Sequence, residues 1–461
     1  MTPLPSSSNP LFDAFARQVR DRGRQEALWS RGEGLRLSFD DLEERIGRRV
    51  SELRAAGISK AATLATGNSL AFVEGYLALR RLGVTVVAMD GSLPEQDKVA
   101  ICRELGVRHL LQSDRTITVD LDAREDKPAV SDLPDEIGLI KLTSGSTGRP
   151  AGACFSDEEL FHGIRQIAEG MELDSRQRVL LCIPLSHSYG FDNGVLSMIV
   201  AGTPLILQPS IFPADLLRAL DETSAHFLPL VPPLVRSLGR AVWPSGLSLR
   251  RVICAGGALL PDAARQFRQA SGLPVHNFYG STETGGISFE TAPEETAAQG
   301  TVGRPLPGVR VELDESHRVT VHSAANLVAR WGRDGFCSLD DRRVRTGDTA
   351  EWTPDGRLRL TGRSADVLNI GGRKIAAAEV EHALRALAGV RDAAVVGVED
   401  PVRGDRTVAF LVADEWPVET SGVPPRLAPR ELRRVESLPY TVRGKLDRQA
   451  LRGMARRGLV T

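Results

Sequence analysis

The chain has 461 residues, of which 42% are hydrophobic and 25% charged, a balance typical of soluble globular proteins. That length exceeds one ordinary core, so two or more domains are expected. With 58 Lys plus Arg against 59 Asp plus Glu, no basic excess points to nucleic acid or an anionic membrane. No apolar run reaches the roughly 18 residues that a membrane span needs. The five cysteines (Cys102, Cys154, Cys182, Cys254 and Cys337) are odd in number, far apart and without a CxxC pair. A disulfide framework or zinc site is therefore not expected, and a reducing cytoplasm is. Met1 to Pro10 is polar and lacks the basic start and apolar block of a signal peptide, so it reads as a loose tail.

In chain order, Ser38 to Gly57 has apolar residues at helical spacing (Leu42, Ile46, Val50, Leu53), with Ser38 to cap it and Gly57 to stop it. A short strand follows at Ala62 to Leu64, a helix at Phe72 to Leu82 and a β-branched buried strand at Val84 to Ala88. The alternation continues. Strands are expected at Val179 to Cys182, Pro204 to Leu207, Phe227 to Leu230 and Arg251 to Cys254. Helices are expected at Asn193 to Val200, Pro213 to Leu220, Pro232 to Arg240 and Pro261 to Ser271. Such alternation predicts an α/β fold with a largely parallel sheet. From about Gly303 to Leu360 short strands and turns predict a β-rich subdomain, with a clear turn at Thr353 to Gly356. A boundary is expected near Arg363, dividing 1–362 from a small α+β domain at 363–461. That domain reads as a helix at Ala378 to Leu387 and strands at Ala393 to Val398 and Val408 to Val412.

Five clusters carry chemistry. In Lys141 to Pro150, an apolar strand (Gly138 to Leu142) runs into Thr143-Ser144-Gly145-Ser146-Thr147-Gly148. Glycines let backbone approach an anion closely, and hydroxyls and free amides donate to phosphate; a flexible turn is the competing reading. No Lys-Ser or Lys-Thr follows the second glycine, which argues against a Walker loop. Tyr279-Gly280-Ser281-Thr282-Glu283-Thr284-Gly285-Gly286 sets an aromatic, a hydroxyl and a carboxylate on a Gly-rich turn, where Glu283 could hold Mg²⁺ beside phosphates or be an exposed surface acid. Arg345-Thr346-Gly347-Asp348, with Gly362-Arg363 after it, offers a carboxylate suited to ribose hydroxyls and a fixed donor fork, or a turn Asp and a surface Arg. Gly371-Gly372-Arg373-Lys374-Ile375 leads into a helix. In Pro439-Tyr440-Thr441-Val442-Arg443-Gly444-Lys445, a lysine on a Gly-flanked loop could stabilise charge developing at a carboxylate and a phosphate, though most surface lysines do nothing of the kind.

Taken together and in this order, the clusters resemble the adenylate-forming (AMP-binding) superfamily, most like acyl- and aryl-CoA synthetases, over about Ser38 to Leu451. The resemblance implies a large N-terminal domain and a small mobile C-terminal one. It implies that Thr143 to Gly148 wrap the β- and γ-phosphates of ATP, and that Gly256, Gly257 and Tyr279 with Gly280 form the adenine slot. Thr282 would touch the α-phosphate, Glu283 would hold Mg²⁺, and Asp348 and Arg363 would bind ribose. Lys445 would bridge the acid and the α-phosphate, and Gly371 and Gly372 would line a thiol tunnel for CoA or for the phosphopantetheine of a carrier protein. Pro184 to Phe191 resembles an aromatic gate to the acid pocket, with His187, Tyr189 and Phe191 as pocket residues; a packed histidine is the other reading of His187.

Three departures qualify the match. The family's loop ends Pro-Lys-Gly, whereas this one ends Pro150-Ala151-Gly152, and Arg149 or Lys141 would have to supply the cation. The hinge position holds Ala365, with Asp366 beside it. The stretch from Leu411 to Leu438 is too short for the helix often found there. The function expected is ATP-dependent activation of a carboxylic acid and acyl transfer to a thiol. The alternatives are a stand-alone enzyme loading a carrier protein, and a non-catalytic homologue that binds nucleotide or acyl-adenylate. About 16 residues follow Lys445, so no fused carrier domain is expected there.

Overall fold

A computed structural model describes residues 9–113, 115–121, 129–130, 133–144, 150–294, 300–332, 335–339, 341–363, 367–370, 373–400, 404–424, 427–441 and 446–457. Two large sheets form the body of the molecule. In the first, of nine strands, Val275–Ser281, Arg251–Cys254, Phe227–Leu230, Val179–Leu181, Leu205–Leu207 and Glu26–Ser30 lie side by side and parallel. Leu35–Ser38 closes one edge antiparallel, and Gly285–Phe289 with Arg304–Pro305 closes the other. The second sheet has eight strands around the parallel set Leu139–Ser144, Thr85–Ala88, Ala61–Leu64 and His109–Leu111. The central strands are apolar on both faces, as a sheet covered by helices requires.

One continuous core joins the two sheets. It takes Leu28, Leu180 and Ile206 from the first sheet, Leu64, Val86 and Leu139 from the second, and Leu42, Ile46, Val73, Leu77, Leu160 and Ile164 from helices. The helix Phe39–Ala55 starts in a capping box in which Ser38 and Asp41 satisfy each other's backbone amides, as its sequence predicts. The helix Asp157–Gly170 carries a similar box between Ser156 and Glu159. Its Asp157 receives a buried two-pronged contact from Arg80, at 3.2 and 2.8 Å. The first helix begins at Pro10 and is capped by Asn9, so the end of the stretch read as a loose tail is helical; its residues 1–8 lie outside the described residues.

A four-stranded antiparallel sheet follows, in the order Arg310–Leu313, Arg318–His322, Arg343–Trp352 and Leu358–Arg363. Past it, Val367–Ile370, Arg373–Ala376, Val390–Asp400, Gly404–Ala413 and Glu431–Arg434 make a separate sheet. Strand alternation splits its residues cleanly. Ala393 and Val395 pack with Val380 and Leu384 of the helix Ala377–Arg385, while Ala394 and Val396 pack with Leu451 and Ala455 of the helix Arg448–Arg456. Among the described residues between 414 and 430 there is no helix. The architecture is a mixed α/β fold: a large unit rich in parallel strands and a small α+β unit. Among the described residues no helix is long and apolar enough to cross a membrane. All five cysteines are free thiols, and Cys337 alone among them is exposed.

Candidate active site

The strands Leu139–Ser144 and Pro150–Phe155 form a hairpin, with Thr143 opposite Ala151 and Ser144 opposite Pro150. Thr143 and Ser144 end its first strand, while Gly145, Ser146, Thr147, Gly148 and Arg149 lie outside the described residues.

Lys141, one residue back from Leu142, does not stand in for the cation missing at Ala151. Its Nζ lies 2.8 Å from Asp192 Oδ1, and both side chains are under 10% exposed. A buried ammonium needs a paired anion, and this one has it. Burial still lifts the Asp192 carboxyl above its ordinary range, against the pull of Lys141. The aromatic rings of Phe155 and Phe191 also face the ammonium, at 4.9 and 5.7 Å. Asp192 opens a π-helical turn, Asp192–Leu196, inserted between the short helices Ser188–Phe191 and Ser197–Ala201. The helix expected from Asn193 therefore starts five residues earlier, and the wide turn aims Asp192 inward. Its Oδ2 comes within 4.0 Å of where a side chain on Gly285 would stand.

Gly285 ends the turn that carries Thr282 and Glu283. That turn joins Val275–Ser281 to Gly285–Phe289, with a register shift at Tyr279 and Gly280. A Cβ on Gly280 would stand 2.5 Å from the Gly285 carbonyl oxygen, closer than any real contact, so the turn requires glycine there. Glu283 is half-buried and its carbonyl accepts from the Leu327 amide at 2.8 Å. Among the described residues its carboxylate has no hydrogen-bond or ion-pair partner.

Tyr279, Thr346, Asp348 and Arg363 form one network. Tyr279 Oη donates to Asp348 Oδ2 at 2.8 Å and lies 3.4 Å from Thr346 Oγ1. Arg363 Nε donates to Asp348 Oδ1 at 2.9 Å, and the two residues are paired across the antiparallel strands. Burial, reinforced by Asp348, holds the Tyr279 phenol well above its usual range, so it stays a donor. Gly256 has φ of +86°, a conformation few side chains tolerate, and a Cβ there would face Val231 at 3.6 Å. Gly257 likewise faces Pro232 at 3.5 Å. The two glycines thus lie against the start of the helix Pro232–Leu238.

In the expected acid gate, His187 precedes the helix Ser188–Phe191. Tyr189 Oη lies 3.2 and 3.4 Å from the carbonyls of Leu230 and Ile253, which pins its ring between two strand ends. Phe191 is 2% exposed and packs edge-on against Tyr76 and Phe72, so its side chain faces the core. Lys445, Gly371, Gly372 and Ala365 lie outside the described residues. The sequence reading missed the Lys141–Asp192 pair. Its signal was there: one charge inside each of two apolar runs.

Residues 15–328 match the AMP-binding enzyme family, and residues 379–445 match the AMP-binding enzyme C-terminal domain. The chain belongs to this adenylate-forming superfamily of ATP-dependent ligases. Among individual proteins, it is 28% identical over 483 residues to feruloyl-CoA synthase of an Amycolatopsis species, covering 95% of this chain and 97% of that one. It is 26% identical over 492 residues to a linear gramicidin synthase of Brevibacillus parabrevis, covering 96% of this chain but spanning only 6% of that protein. Its fold is that of ATP-bound MatB from Rhodopseudomonas palustris, with a TM-score of 0.81, 21% identity and coverage of 98% of this chain and 99% of that one.

Proposed function

We propose that this protein is an acid–thiol ligase: it adenylates a carboxylic acid with ATP and passes the acyl group to a thiol, with CoA as the acceptor. The observation that carries the reading is the Tyr279–Asp348–Arg363 network, an aromatic wall, a carboxylate and a guanidinium brought together from strands of two sheets. Asp348 would receive the ribose hydroxyls and Arg363 would brace it, while Gly256, Gly257, Tyr279 and Gly280 would flank adenine. Thr143 to Gly148 would hold the β- and γ-phosphates and Thr282 the α-phosphate. Glu283 fits a divalent cation, since Mg²⁺ takes one or two carboxylates plus phosphate oxygens. When bound, Mg²⁺ would neutralise phosphate charge there.

In the first step the substrate carboxylate attacks the α-phosphorus in line, a new P–O bond forms, and the bond to the bridging oxygen of pyrophosphate breaks. Positioning and charge neutralisation suffice, with Lys445 supplying a point charge between the acid and the α-phosphate; no general base is needed. In the second step a thiol attacks the acyl carbon and AMP leaves. Gly371 and Gly372 would line the path of that thiol, and His187, Tyr189 and Phe191 would shape the acid pocket from its lining or from behind it. The division of labour falls at residues 362 and 363, and a reducing cytoplasm suits the free thiols. Feruloyl-CoA synthase supports CoA as acceptor. A second reading, loading of a separate carrier protein, is favoured by the match to one short piece of the linear gramicidin synthase.

The test is acid-dependent ATP–pyrophosphate exchange with Mg²⁺ across aryl, short-chain and long-chain acids. Exchange is expected with one acid class and should fall roughly 10²- to 10³-fold in Lys445→Ala. Thioester formation on free CoA, compared with a phosphopantetheinylated carrier, then identifies the acceptor. No exchange with any acid, in protein that still binds AMP, would leave the non-catalytic reading standing instead.

A further inference from the structure

Arg236 reaches from the large unit to the small one. It sits in the helix Pro232–Leu238, and its Nη1 lies 3.3 Å from Asp392 Oδ2. Its guanidinium carbon also stands 5.3 Å from the centre of the Tyr440 ring. Tyr440 Oη donates to the same Asp392 oxygen at 3.0 Å. The other oxygen, Oδ1, is held within the small unit by Arg385 Nε at 3.1 Å and by the Ala393 amide at 2.9 Å. Asp392 is therefore an acceptor oriented by its own unit, and Arg236 docks onto it.

Both ends of this contact lead to the site. The helix carrying Arg236 begins at Pro232, which backs Gly257. Tyr440 is bridged antiparallel to Leu446, the residue that follows Lys445 in the chain. Fixing Tyr440 fixes its bridge to Leu446, the immediate chain neighbour of Lys445. The contact is an ion pair with a cation over a ring, 28% and 15% exposed at Arg236 and Asp392, rather than a seam of packed apolar side chains. It can part without opening a core, and units joined by polar contacts move relative to each other by default.

We propose that Arg236 is a positioning residue for acid adenylation: by gripping Asp392 and Tyr440 it holds the Tyr440–Leu446 bridge against the large unit, and it lets go before thiol transfer. The inference rests on Lys445 being the adenylation lysine. It differs from a general stabilising role in predicting an effect on one half-reaction only.

The experiment uses the full chain with Arg236→Met and Arg236→Lys. Arg236→Met should lower the kcat of ATP–pyrophosphate exchange about tenfold while leaving the KM for ATP and the affinity for AMP unchanged. Thioester formation from supplied acyl-adenylate should not fall. Arg236→Lys, which keeps the charge but loses the flat fork, should restore part of the exchange. Orientation is read independently of activity by dyes on Cys337, the exposed native thiol, and on Arg456→Cys in the helix Arg448–Arg456. The Arg236→Met substitution should broaden the distance distribution between them. Equal losses in both half-reactions, or an unchanged distance distribution, would overturn the proposal. If the unsubstituted enzyme exchanges with no acid, the ligase reading fails, and the dye distances still decide whether Arg236 grips the small unit.

Discussion

Replacing Lys141 with methionine keeps most of the side-chain volume, removes the charge and leaves Asp192 without its cation. At 2.8 Å the pair attracts by about 6 kcal/mol at an effective dielectric near 20, and most of that attraction offsets the cost of burying two charges. The loss on substitution has a ceiling, because a stranded carboxylate can take a proton. With an ordinary value of 3.8, protonating Asp192 at pH 7 costs about 4 kcal/mol. Lys141→Met should therefore destabilise the large unit by about 3–4 kcal/mol at pH 7, and the double variant Lys141→Met/Asp192→Asn should recover about half of that. The gap between single and double variant should narrow by about 1.4 kcal/mol per unit as pH is lowered toward 5, since proton uptake then costs less. The assay is urea unfolding followed by tryptophan fluorescence, with Trp29 and Trp331 reporting from the two large sheets. A single variant within about 1 kcal/mol of the parent, or a double variant worse than the single, would refute the reasoning.

Gly280→Ala should cost about 1–3 kcal/mol and lower pyrophosphate exchange, because the added methyl meets the Gly285 carbonyl and displaces the turn carrying Thr282 and Glu283; unchanged exchange kinetics would count against that turn. Tyr279→Phe removes a donor to a charged acceptor and should cost about 1.5–3 kcal/mol in thermal unfolding, with a raised KM for ATP. Unaltered melting would show that the bond is not formed in solution. His276, His226 and His109 all have values lowered from 6.5, chiefly by burial, so the folded chain resists a proton that the unfolded chain accepts. Stability should be full above pH 6.5 and fall as pH drops below it, and His276→Gln should flatten part of that slope in denaturant titrations between pH 7.5 and 5.

Much of the scaffold could be read from local pattern. The parallel strands Phe227–Leu230 and Arg251–Cys254 are short apolar runs bounded by turn residues, and the structure forms both over the residues expected. The helix Pro261–Ser271 announces itself with proline at its first position and glycine after its last. Other elements left weaker traces. Asp157–Gly170 opens with three acidic residues that suit a helix start but interrupt any apolar period, so only the capping box marks it. The antiparallel edge strands, such as Arg304–Pro305, are too short to show alternation. The Tyr279–Asp348 contact joins residues 69 positions apart, and Lys141–Asp192 joins residues 51 apart. Neither follows from periodicity, which sees only neighbours along the chain. The π-helical turn Asp192–Leu196 interrupts the 3.6-residue period, so helical spacing alone gives no trace of it and the expected helix starts only at Asn193.

The strand Leu358–Arg363 leaves its sheet at the very residue that clasps Asp348. Arg363, the last described residue before the small unit, is thus fastened to the Tyr279–Asp348 network. Arg363 Nε and Asp348 Oδ1, 2.9 Å apart, tie the end of that strand to the carboxylate. The pair that fastens the end of this strand is also the seat proposed for the nucleotide, so a ligand engaging Asp348 bears on the chain that leads into the small unit.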